Sequence, residues 1–164
     1  MNMMKLFSSL ALAAVMSTAI SSSAFAADIE TQKSAKNDLG SYIETIKENR
    51  TTLEQIITDN QKLISQITVL QNQLKQSGIL TAEDDATLSD MSSEIQQQNF
   101  SIAEKRSEVD SLKASSQENM KSGDVDSAKA KLDEVMNIQN EQIELHEGLN
   151  TLLESKLNFL NSYR

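Results

Sequence analysis

The stretch LEQIITDNQKLISQI, residues 53–67, decides the fold. Leu53, Ile56, Leu63 and Ile67 recur at steps of three and four, the spacing that stacks side chains on one face of an α-helix. Asn60 stands where that spacing asks for another aliphatic residue. Followed outward, the pattern resolves into two rows with a period of seven. Leu39, Ile46, Leu53, Asn60, Ile67 and Leu74 form one row, and Tyr42, Asn49, Ile56, Leu63 and Leu70 the other. Ile43, Ile57 and Ile64 widen the stripe on one side. A seven-residue repeat implies left-handed supercoiling, and a stripe broader than a two-stranded seam implies two helical neighbours.

Two further segments supply the neighbours. The second is thin, with Leu88, Ile95, Ile102 and Val109 in one row and Met91 and Leu112 beside it. The third is the broadest, running from Leu132, Val135 and Ile138 through Leu149 and Leu153 to Leu157 and Leu160. The chain has no proline, so nothing removes a helical N–H or forces a ring clash. Expected breaks fall at Gly40, Gly78 and Gly123, while Gly148 sits inside an otherwise strong apolar pattern. Start signals follow the breaks: Ser41-x-x-Glu44 as a capping box, Thr81-x-x-Asp84 as a shorter version, and Asp124 as an N-cap. These signals predict helices over 41–76, 82–121 and 125–162. Each is ~55–60 Å long at 1.5 Å per residue. The short connections make consecutive helices antiparallel. The expected fold is all-α, an antiparallel three-helix bundle or coiled coil over 41–164. Residues 27–40 form an N-terminal arm or helix extension. The rival is a long hairpin that oligomerises through the surplus apolar surface of the third segment.

The N-terminus carries an address. Lys5 precedes a short apolar run, and residues 21–26 end in Ala24-Phe25-Ala26, the layout of a cleavable signal peptide over 1–26. The apolar run is interrupted by Ser8, Ser9, Ser17 and Thr18, too short for the ~20 apolar residues of a span. Export is therefore expected, to the periplasm, the cell wall or the medium, without stable membrane insertion after cleavage. Cleavage removes one of fifteen basic residues and none of the 24 acidic ones, which leaves a formal charge of −10. That acidity argues against nucleic acid as a partner. The chain has no cysteine, which removes disulfides, thiol catalysis and thiolate metal sites together.

Folding back at the two glycine turns brings the irregular residues to shared heights. Asn60 falls opposite about residue 97, and Gln98 opposite about residue 147. The core-row residues nearest those positions are Gln98 and His146, so Asn60, Gln98 and His146 are expected in one polar layer. Asn49, Lys105, Gln139 and Gln142 fall at neighbouring heights, in the half remote from Gly78. A buried amide selects register, because slipped helices leave it without a hydrogen bond. The functional alternative is a ligand or proton site with His146 as its titrating member.

Other constellations fail on their own residues. His146-Glu147-Gly148-Leu149-Asn150 resembles a zinc-protease His-Glu-x-x-His motif with its second histidine missing. His146 is the single histidine, and Ile143 occupies the place of the glutamate in a di-iron Glu-x-x-His pair. Asp84-Asp85 and Asp124-x-Asp126 read as caps and helix-dipole partners. No catalytic residue, cofactor or metal site is expected. Phe100 is the other outlier, an aromatic in polar surroundings opposite the apolar row of its helix, and a candidate contact for a partner. Leu80-Thr81-Ala82-Glu83-Asp84 resembles the Leu-Thr-x-x-Gln helix start of small periplasmic stress chaperones, with Asp84 in place of the glutamine. The resemblance spans five residues and assigns no family; it would imply client binding by long helical hairpins. The resulting expectation is a non-enzymatic structural or protein-interaction module whose partner is a protein or a further copy. A chaperone-like binder of exposed apolar segments is the alternative. A ligand or metal carrier using His146 and nearby carboxylates comes third.

Overall fold

The computed structural model describes residues 36–164, so the signal peptide and most of the expected N-terminal arm lie outside the described residues. Three helices follow one another: α1 (Lys36–Ser77), α2 (Ala82–Ser122) and α3 (Val125–Asn161). They form the expected three-helix bundle, with α1 and α3 parallel and α2 antiparallel to both. The cross-links show the directions. Asn49 reaches Asn140 and Asn60 reaches Asn150, both numbers rising together. Ser92 meets Lys156 whereas Ser116 meets Ala128, in the opposite order.

Both turns are glycine-capped Schellman motifs, as their hydrogen bonds show. At the first, Gly78 N–H donates to Lys75 O (3.2 Å) and Ile79 N–H to Leu74 O (3.4 Å). At the second, Gly123 N–H donates to Met120 O (3.2 Å) and Asp124 N–H to Asn119 O (2.9 Å). The two glycines have φ of 68° and 82°, a left-handed region that costs other L-residues energy. The next helices start at once. Thr81 and Asp84 close a reciprocal capping box, and Asp124 accepts from Ser127 N–H.

The predicted break at Gly40 and the Ser41–Glu44 capping box are not present, because α1 runs through both. Ser41 and Glu44 are solvent-exposed, and the helix continues past them to Lys36. A mid-helix glycine costs only about 1 kcal/mol relative to alanine. Leu39 offsets it: its side chain is fully buried in the cluster with Val109, Met120, Leu132 and Val135. Burying a leucine is worth roughly 1.5–3 kcal/mol. Tertiary packing therefore overrides the local stop signal.

The three helices do not share contacts equally. α1 and α2 each pack along α3 and touch one another little. They meet at the first turn, where Lys75 Nζ lies 3.6 Å from Asp85 Oδ1. α3 is the shared wall, in keeping with its broad apolar face. Its buried seam runs Ala128, Leu132, Val135, Gln139, Gln142, His146, Leu149, Leu153, Lys156 and Leu160, alternating steps of four and three. The apolar core is split along this seam. One cluster lies toward Gly123 and contains Leu39, Ile46, Val109, Leu132 and Val135. The other lies toward Gly78 and contains Ile67, Leu74, Leu88, Ile95, Leu149 and Leu153. Among the described residues, no helix is long and apolar enough to cross a membrane.

Candidate functional site

Between the two clusters the seam of α3 carries three polar residues in succession, Gln139, Gln142 and His146, all buried. From α1, Asn60 enters the same level with no exposed surface. Its Nδ2 donates to the carbonyl oxygen of His146 (3.0 Å), and its Oδ1 accepts from Asn150 Nδ2 (2.8 Å). From α2, the half-buried Gln98 donates through Nε2 to the carbonyl oxygen of Leu145 (2.8 Å). Two adjacent α3 carbonyls thus accept amides from the two flanking helices. A helical carbonyl retains a second lone pair for this after its own backbone bond.

Gly148 acquires a reason here. A Cβ at this position would lie 2.8 Å from Gln98 Nε2, so the glycine leaves the space through which Gln98 approaches the backbone. Asn99, the neighbour of Gln98, is also buried. Toward Gly123 the polar level continues on the surface, where Asn49 Nδ2 donates to Asn140 Oδ1 (3.1 Å) and Lys105 pairs with Glu141 (2.6 Å) and Glu108 (3.3 Å). The layer sits between the two apolar clusters, at mid-bundle, rather than in the half remote from Gly78. Asn60 lies nearer the Ser77 end of α1 than the Lys36 end, as it already does in a helix over 41–76, so the expected half is wrong on the predicted bounds themselves.

Asn60, Gln98 and His146 therefore occur at one height, but the imidazole does not bond to either amide. What Asn60 holds is the backbone of His146. The ring is 7% exposed, and its Nδ1 is buried without a hydrogen-bond partner. Burial pushes its pKa from 6.5 down to about 4, so the ring is neutral at neutral pH. Gln139 Oε1, on the same seam, is likewise buried without a partner. Among the described residues, no group of three or more His, Cys, Asp or Glu side chains is placed to hold a metal ion.

Besides Asn99, two polar positions in the core were not singled out from the sequence. Lys156 occupies a seam position inside the Gly78-side cluster at 6% exposure. Its ammonium donates to Ser92 Oγ (2.7 Å), and Ser92 in turn donates to Leu88 O (2.6 Å). Burial lowers the lysine's pKa, with repulsion from Lys75 adding to it. Ser116, fully buried, donates to Ala128 O (3.1 Å). The signal for both was present as spacing: Lys156 lies three residues after Leu153 and four before Leu160, and Ser116 seven after Val109. A long aliphatic stem conceals a lysine in such a row, because it packs as a hydrophobe while its tip seeks a polar atom.

Outside the core, Phe100 stands on the outer face of α2 at 65% exposure, away from both clusters. Val69, 58% exposed, borders an open groove of about 510 Å³ between α1 and α3, lined also by Leu70, Leu157 and Arg164. No family model, curated protein or solved structure matches this chain.

Proposed function

We propose that the protein is an exported, non-enzymatic module, a three-helix rod that meets a protein partner or further copies of itself through the outer face of α2. The observation that carries this reading is Phe100, an aromatic ring left largely in water on a helix whose other exposed positions are polar residues or alanines. A buried aromatic anchor is a common centre of binding energy between proteins. The two turns and the Gln98 tie to α3 fix α2 behind that ring, which limits the ordering cost of binding. A photoreactive side chain at position 100 tests it. Discrete adducts from position 100, absent from exposed position 110, are the expected result. Equal labelling from both positions, or none from position 100, defeats the reading.

The groove beside Val69 supports a second reading, a chaperone-like binder of exposed apolar segments. Its test is suppression of client aggregation by the full chain. Failure at stoichiometric ratios ends it.

A further inference from the structure

We propose that protonation of His146 opens the bundle at its polar level, making this side chain an acid-sensitive latch between the two apolar clusters. The ring lies where α1 and α2 both tie to the α3 backbone, through Asn60 and Gln98. A neutral imidazole tolerates an idle acceptor nitrogen. An imidazolium needs an acceptor for each N–H, and a buried charge without one is expensive. The structure offers none at Nδ1. Both ends of the Asn60 amide are already engaged, with His146 O and Asn150. The other buried idle acceptor, Gln139 Oε1, sits seven residues back on the same helix, ~10 Å along its axis.

No carboxylate compensates. At this height α1 carries Glu54, Asp59 and Lys62, and these are engaged on the surface: Glu54 with Arg50 (2.7 Å), Asp59 with Lys62 (2.9 Å). α2 carries Glu94, Glu104, Lys105 and Arg106, of which Lys105 binds Glu108 and Glu141. On α3 itself, Glu144 and Glu147 are exposed. Burial alone lowers the imidazole's proton affinity.

The sign follows from linkage. The closed form refuses a proton that the open form accepts with the ordinary histidine pKa of about 6.5, so closure is strongest above that pH and weakens as pH falls toward 4. From these two values the open fraction rises about 30-fold between pH 7.5 and 5.

His146 is the single histidine of the chain, so its ring proton is one unambiguous NMR signal. The experiment follows that signal in the full chain from pH 7.5 to 4, with amide protection factors for the wild type and His146→Gln. The expected result is a ring midpoint well below 6.5. Protection around Asn60, Gln98 and His146 should also fall about 30-fold by pH 5 in the wild type, and not in the variant. A midpoint near 6.5 overturns the proposal. So does an equal loss in both proteins, or a loss spread evenly over both apolar clusters. Should His146→Gln not fold, the wild-type midpoint and the location of its exchange decide the matter.

Discussion

Around Gly78 the buried apolar residues are leucine and isoleucine alone, nine of them, and leucines, aromatics and Ile64 close over them. Around Gly123 the corresponding cluster mixes Leu39, Leu132 and two isoleucines with Val109, Val135, Met120 and Ala128. The Gly78 end is also tied to α2 by side chains from α3 and from the residues just after it, Lys156 to Ser92 and Tyr163 to Asp84. The Gly123 end relies on a shorter link, Ser116 to the backbone of Ala128. One bundle thus contains two cores of unequal composition, joined by a level whose buried side chains are mostly polar. Such a molecule is expected to open in parts, with the Gly123 side and the middle exchanging before the Gly78 side.

Large-to-small substitutions are the strongest way to break this comparison. Leu153→Ala, fully buried among large neighbours, should cost about 3–4 kcal/mol; Leu132→Ala, beside Ala128 and Val135, about 2–3 kcal/mol. Urea denaturation measures both. A reversed order would mean that the Gly123 cluster is the better-packed one.

The middle level comes next. Asn60→Ala removes the partner of the half-buried Asn150 amide and of His146 O, leaves a small void, and should cost about 2 kcal/mol. Asn60→Leu fills the space with apolar volume, so its stability should equal or exceed wild type while the register loosens. Sedimentation then shows mixed species where the wild type shows one. A single species from Asn60→Leu would remove the register role from this residue.

Gly148 offers a smaller and sharper measurement. Gly148→Ala displaces Gln98 from the Leu145 carbonyl and should cost about 1 kcal/mol net. In a Gln98→Ala background the obstacle is gone, and the same change should stabilise by up to about 1 kcal/mol through helix propensity. Independent effects in that double-mutant cycle would show that the glycine serves something other than the close approach of Gln98.

Much of this architecture is legible before any coordinates. The row Leu39–Ile46–Leu53–Asn60–Ile67–Leu74 is buried at every member, and so is Leu88–Ile95–Ile102–Val109. Both turns lie at the glycines that a proline-free chain offers. What local patterns misjudge is Gly40 with Ser41-x-x-Glu44. Those residues carry real stop and start chemistry, and only Leu39's distant partners on α2 and α3 overrule it. Lys156 escapes notice because a charge reads as surface, although its place in the row is regular. The imidazole of His146 is found by its height, but its idle Nδ1 is not, because that depends on where each amide points. The unequal sharing of contacts is only suggested, by the breadth of the third stripe.

The smallest expected effect bears on the tie at the Gly78 end. Tyr163 OH donates to Asp84, whose other oxygen serves the Thr81 capping box. The tyrosine first, and the Thr81 backbone second, hold the Asp84 carboxyl below its ordinary pKa, while the carboxylate raises that of the phenol. Asp84's contribution is therefore present above the usual carboxylate range and lost as pH falls through its lowered value. Tyr163's is present below the usual phenol range and lost as pH rises through its raised value. Both groups are open to solvent, so water screens the interaction and the effect at neutral pH is slight. Tyr163→Phe should flatten both the acid and the alkaline limbs of the melting-temperature profile. It should lower amide protection near Gly78 and leave that near Gly123 unchanged. Protection lost at both ends would mean that the two clusters open as one unit.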